Sequence, residues 1–245
     1  MTGGESRFTS DRRVREGASW TGDGDWAAGV SENLDIVEGG LVPRPAVGVG
    51  VLLEGFEGGS LNSAYGGGTT HASIQSSPVY AGDHSMELMG DKYNVISRTD
   101  LAVERGGVYS GWVMNKSVSS STVYQREAGI IFMTQEGTAT PGGYYIELRQ
   151  DDNNVIVFRS GAGESPVTDK IATKSLSQSL DTWYEVVFEP RVGGTEVYRI
   201  NDAEGVELAT FSTADGTFDA GGIGFSHGGD SDEHQGQFDE VRRWE

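Results

Sequence analysis

At 245 residues the chain is long enough to bury a sizeable core, as one large all-β domain or as a medium domain with an appendage. It has no cysteine, so neither disulfides nor thiolate metal sites can hold it, and packing must do so, with or without a hard cation. Its 37 Asp and Glu against 18 Lys and Arg give a formal net charge of −19, and without a basic stripe to neutralise phosphates the balance argues against nucleic-acid binding.

Lysine is scarce: Lys92, Lys116, Lys170 and Lys174 are the whole complement. Such a surplus of negative charge destabilises a fold in dilute buffer. It keeps a surface hydrated in molar salt, where the Debye length is about 3 Å. The composition reads as halophilic, with an ordinary acidic secreted domain as the plainer alternative. No run of about 18 apolar residues is present to cross a bilayer, so membrane insertion is not expected. The Arg12–Arg13 pair is not followed by an apolar stretch of signal-peptide length, so no N-terminal export signal is expected either. Release within an assembled particle would meet that constraint.

Residues 1–48 differ in character from the remainder of the chain. They carry Trp20, Trp26, scattered apolar residues and the prolines Pro43 and Pro45, with no sustained helical period. This reads as an extended N-terminal arm for assembly or anchoring, its tryptophans lying against the main domain or a neighbouring subunit. A disordered leader is the alternative.

From residue 49 to residue 245 the pattern is one of short alternating or apolar runs broken by Gly, Asn, Asp and Ser. Strands are expected near 49–57, 70–76, 84–89, 93–99, 107–114, 128–134, 143–150, 154–159, 182–189, 195–200, 206–212, 222–225 and 237–243. Two hairpins are legible, one turning at Asp151 to Asn153 and one at Asp202 to Gly205. Many short strands with polar turns imply an all-β sandwich, and a jelly roll is the expected arrangement.

The ordered set GFEGG (Gly55 to Gly59), SSPVYAGDHSMELMG (Ser76 to Gly90), ISRTDLAVERGGVYSGWV (Ile96 to Val113), LDTWYEVVFE (Leu180 to Glu189) and GGIGFS followed by GQFDEVRRW resembles a concanavalin A-like or laminin-G-like jelly-roll β-sandwich. The resemblance covers about residues 50–245 and leaves the arm unexplained. Arm plus acidic sandwich also resembles, in style, virion proteins of haloarchaeal viruses. The resemblance implies a Ca2+ ion tying the first strand to the last through Glu57, Asp83 and Asp239, and a hard cation with about 6–8 oxygen ligands could pin the ends of a chain without disulfides. A second, weaker cation candidate is the loop from His227 to His234, with Asp230 and Asp232 two residues apart; a solvated acidic loop is the alternative. His71 and His84 are isolated and read as structural or solvent-facing.

Glucanases on this fold carry Glu-x-Asp-x-x-Glu in one strand, and no such string occurs here. Glu185 and Glu189 share a strand face, but four residues at about 3.3 Å each set them roughly 13 Å apart. No nucleophile elbow, zinc-protease or phosphate-loop motif is present, so no enzyme is expected. Sugar binding would use aromatic faces, with Trp112, Tyr144 and Tyr145 as the leading candidates and Tyr65 and Tyr124 beside them. Tyr144 and Tyr145 are adjacent, so they face opposite ways. Trp183, beside the apolar Val186 to Phe188 run, reads as core.

The sequence reading is therefore a structural or adhesion component on the surface of a haloarchaeal virus particle, as capsid turret, spike or tail. It would assemble with its own copies and other virion proteins through the arm and touch host glycans. A carbohydrate-binding module or lectin outside a halophilic archaeal cell is the alternative, and a glycoside hydrolase the third.

Overall fold

The computed structural model describes residues 50–90, 93–116, 127–164, 169–228 and 235–244, with the backbone of two short strands before them. Those strands, β1 (Leu34–Val37) and β2 (Gly40–Pro43), pair antiparallel within a unit that spans Met1–Gly50. The rest, Val51–Trp244, is a second unit. Trp20 and Trp26 lie outside the described residues.

The second unit holds β3 (Val51–Glu54), β4 (Gly66–Gly67), β5 (Ala72–Gln75), β6 (Ser85–Met89), β7 (Asn94–Glu104), β8 (Val108–Asn115), β9 (Glu127–Thr134), β10 (Gly143–Arg149) and β11 (Asn154–Ser160). It continues with β12 (Asp169–Ser175), β13 (Tyr184–Arg191), β14 (Thr195–Asn201), β15 (Glu207–Thr213), β16 (Ala220–Gly228) and β17 (Gln235–Trp244). They form a seven-stranded sheet in the order β12-β11-β10-β9-β16-β7-β4 and an eight-stranded sheet in the order β15-β14-β13-β8-β17-β6-β5, with β3 on β17. This is the expected jelly-roll sandwich, and every strand read from the sequence has its counterpart. Both hairpins form, with Arg149 opposite Asn154 and Asn201 opposite Glu207 at their bases.

The last two strands sit centrally. β16 lies between β9 and β7, β17 lies between β8 and β6, and their Phe225 and Phe238 rings meet at 5.0 Å across the core. Strand alternation supplies the rest of the packing: Tyr184, Val186 and Phe188 of β13 point inward and are buried. Phe188 stacks on Phe132 of the facing sheet at 5.1 Å and 13°. Strand β12 escaped the sequence reading because it is an edge. Its pattern does not alternate cleanly, and it carries Lys170 and Lys174, the residue type that keeps a sheet edge from pairing with other chains. The two-residue β4 escaped as glycine: a side chain at Gly66 would start 1.8 Å from the Gly137 carbonyl, so the backbones can approach only without one.

One end of the core is closed by polar groups. Glu196 faces inward and is fully buried. It accepts hydrogen bonds from Arg105 Nη2 at 2.8 Å, Thr213 Oγ1 at 3.1 Å and the Asp215 amide at 3.0 Å. The Tyr144 hydroxyl donates to Asp215 Oδ1 at 3.0 Å, and Arg159 bridges Asp215 and Asp169. Six segments are thereby tied without leaving a buried carboxylate unpaired.

Candidate functional site

Register places four chemically distinct side chains in one row on the outer face of the eight-stranded sheet. Asp239 of β17 opposes Trp112 of β8, Trp112 opposes Glu185 of β13, and Glu185 opposes Asn201 of β14. Their outward direction follows from parity, since the neighbours Phe238, Val113, Val186 and Ile200 all belong to the core. Asn201 Nδ2 donates to Glu185 Oε2 at 2.7 Å, while its amide oxygen has no partner among the described residues.

The loop between β5 and β6 lays a second aromatic on this row. Tyr80 stacks on Trp112 with ring centroids 3.6 Å apart and planes at 17°, and Trp183 meets Tyr80 edge-on at 6.3 Å and 71°. Trp112 is thereby buried, whereas Tyr80 and Trp183 stay half-exposed. Asp239 fixes the loop: its Oδ2 accepts from the amides of Tyr80 at 2.8 Å and Ala81 at 3.1 Å, and its Oδ1 from Glu240 at 2.8 Å. Glu57 holds the next turn, accepting from the Asp83 amide at 2.9 Å. Gly82 makes that approach feasible, with φ +72° and no room for a side chain, since a Cβ there would lie 2.1 Å from Glu57 Oε1.

Acidity surrounds the aromatic pair. The Tyr80 hydroxyl is raised above its ordinary pKa by burial and then by the carboxylates of Glu185, Glu240 and Glu204, with Arg242 opposing. Arg242 is itself held by Glu240 through two hydrogen bonds of 3.0 and 2.8 Å. Asp239 is pushed up to about 6, chiefly by burial, while its three amide donors pull the other way.

Glu57, Asp83 and Asp239 thus come to one loop. Asp239 is buried, and among the described residues no ion pair involves it, which suits a hard cation beside it. Among the described residues, however, no group of three or more acidic or histidine side chains converges on a common point. The oxygens of Glu57 and Asp239 accept from backbone amides, so the loop is already tied to both ends of the fold by hydrogen bonds.

The aromatic candidates need correction. Tyr144 and Tyr145 do face opposite ways, yet both are fully buried. Tyr144 packs on Phe188 in the core, and Tyr145 lies in a second apolar cluster with Val95, Ile131, Ile156 and Phe158 on the other side of its sheet, its hydroxyl donating to the Pro141 carbonyl at 2.6 Å. Neither presents a ring to solvent. Tyr65 is likewise buried, against Phe225 and under the Arg98 guanidinium. Trp112 is the floor of the platform rather than its surface. Trp183, read as core, precedes β13; Tyr184 takes the inward position and leaves Trp183 beside Tyr80. Tyr80 carried no sequence signal beyond its Pro-Val-Tyr-Ala-Gly turn. Asp230, Asp232 and Tyr124 lie outside the described residues, and His227 is a buried residue of β16 rather than of a loop.

A carboxylate pair invisible to a single-strand search sits on adjacent strands β9 and β10. Glu127 and Glu147 share Arg149, whose Nη2 lies 2.9 and 3.4 Å from them, and the Tyr93 hydroxyl donates to Glu147. One arginine across two buried carboxylates favours retaining a proton. Burial and the Glu147 charge push Glu127 from 4.5 to about 7. The folded chain therefore keeps a proton that the unfolded chain loses between about pH 4.5 and 7, so this group's contribution to stability falls as pH rises through that window and is flat above it. Glu127→Gln is expected to stabilise the protein at pH 8 by about 2 kcal/mol, a melting point ~4–8 °C higher, and to leave it unchanged near pH 4. Equal shifts at both pH values would contradict the assignment.

No protein-family model matches the chain, and no curated protein matches it. Among solved structures, the carbohydrate-binding module CBM66 from Bacillus subtilis matches with a TM-score of 0.51 and 12% identity, over 71% of this chain and 96% of its own. The winged bean acidic lectin complexed with methyl-α-D-galactose matches at 0.49 and 7%, over 72% and 93%. The endo-β-1,4-glucuronan lyase of the fungus Trichoderma reesei matches at 0.42 and 13%, over 75% and 95%. At 12% identity the likeness to the Bacillus subtilis module is one of fold alone, a jelly-roll β-sandwich.

Proposed function

We propose that this chain is a non-catalytic, lectin-like protein that binds glycans on the outer face of its eight-stranded sheet. The observation that carries the reading is the half-exposed Tyr80–Trp183 pair, with Tyr80 stacked on Trp112 and Trp183 edge-on to Tyr80, bordered by acids and Asn201. Aromatic faces take the C–H face of a sugar ring, and the polar border fixes its hydroxyls. Fold similarity to a carbohydrate-binding module supports the reading. So does the carboxylate pair: Glu127 and Glu147 are buried and both engaged by Arg149, whereas a retaining glycosidase holds its carboxylates around a substrate. Retention on immobilised polysaccharides is the test. At least one should retain the wild type and release Tyr80→Ala; no retention on any would remove the reading.

Its setting in this proposal is the surface of a haloarchaeal virus particle, as turret, spike or tail component, assembled with copies of itself and other virion proteins through residues 1–48. The net charge of −19 and the scarcity of lysine support a molar-salt habitat. Deleting residues 1–48 should leave a folded sandwich of monomeric mass by light scattering in about 2–3 M salt, where screening lets acidic subunits approach. An oligomer of unchanged mass would contradict the arm's role. A lectin or carbohydrate-binding module of a halophilic cell is the second reading, favoured by the similarity to the Bacillus subtilis module; copurification with particles separates the two.

A structural calcium ion at the β5–β6 loop, held by Glu57, Asp83 and Asp239, belongs to the same reading. A chelator in high salt should lower the melting temperature, and Asp239→Asn should abolish that response. Unchanged melting of the wild type would remove the ion from the account.

A further inference from the structure

Beside the Tyr80–Trp183 platform, among the described residues, stand the carboxylates Glu185, Glu240 and Glu204, the Asn201 amide and the Arg242 guanidinium. Glu185 stands on the row beneath Tyr80, and Glu240 and Glu204 are close enough to raise the Tyr80 hydroxyl. Arg242, the cation on the same side, is engaged by both oxygens of Glu240. Asn201 is nine-tenths buried, at 9% exposure, and its Nδ2 donates to Glu185 while its Oδ1 lacks a partner among the described residues. A buried acceptor left unmatched is uncommon in a folded protein, and here it lies in the same row as the aromatic floor.

Resting on the glycan reading of this site, we propose that the platform takes pyranosides bearing hydroxyl or amino donors and rejects those bearing carboxylate or sulfate. A sugar hydroxyl or ammonium donates to Glu185 or Glu240 while its ring lies on Tyr80 or Trp183. A uronate or sulfate oxygen can only accept, so it meets these groups with no proton between them and with like charge. The discrimination is local. In about 2–3 M salt the Debye length is only ~2–3 Å, so the protein's overall charge is screened and only groups in contact decide. An amino form should gain an ion pair with Glu185 or Glu240 over the neutral form.

The test offers one polysaccharide backbone in matched neutral, amino and uronate forms to the full chain in high salt, against Trp183→Ala and Glu185→Gln. The expected result is binding of the neutral form, binding of the amino form at least as tight, and at least tenfold weaker binding of the uronate. Trp183→Ala should weaken the neutral and amino forms alike, whereas Glu185→Gln should narrow the gap between amino and neutral. A uronate bound as tightly as the neutral form, and released by Trp183→Ala, would overturn the selectivity while leaving the site standing. Binding of no backbone, or binding indifferent to Trp183→Ala and Tyr80→Ala, would overturn both.

Discussion

Glu196→Ala is expected to destabilise the protein by about 3–5 kcal/mol, because it removes one partner of a buried ion pair and strands the other. Arg105 is 10% exposed and Glu196 is fully buried, so water cannot take over the lost contact. The second partner of Arg105, Asp219, is 93% exposed and contributes little in a screened medium. Thr213 and the Asp215 amide would lose their acceptor in the same step, and the Asp215 turn that anchors Tyr144 and Arg159 would loosen. Glu196→Gln, which keeps an acceptor but no charge, should cost less. Denaturant melting reads both; a loss below about 1 kcal/mol for the alanine variant would show that the polar plug does not hold this end of the sandwich.

Asp239→Ala should lower stability by about 2–4 kcal/mol and, at the same time, disrupt the platform. The substitution leaves the amides of Tyr80, Ala81 and Glu240 without their acceptor. The loop can then move toward water to satisfy them, which keeps the loss below the sum of three buried donors and draws Tyr80 off Trp112. Tryptophan fluorescence should therefore change well below the melting transition. Asp239→Asn retains an acceptor and should preserve more of both signals. A folded alanine variant with wild-type fluorescence would separate Asp239 from the placement of Tyr80.

The fold was legible because it is written in local patterns. Alternation such as Tyr184, Val186, Phe188 against Glu185 and Glu189, and turns such as Asp202 to Gly205, specify strands and hairpins without knowledge of pairing. The site was less legible because it is written in register. Asp239, Trp112, Glu185 and Asn201 are far apart in sequence and become a row only when β17, β8, β13 and β14 lie side by side. Glu127 and Glu147 meet for the same reason, from adjacent strands. Parity told correctly that Tyr144 and Tyr145 diverge, but not that both sides of their sheet are buried. Trp183 was misread because one residue of offset at the start of β13 separates the core position of Tyr184 from the half-exposed position before it.

The most direct test of the account is a calorimetric titration, in about 2–3 M salt, of a polysaccharide that retains the wild type, repeated with Trp183→Ala. Loss of one aromatic face should weaken binding about tenfold or more with little change in melting temperature, since Trp183 lies outside the core. Equal affinity for the two proteins would place glycan recognition elsewhere and contradict the assignment of this face.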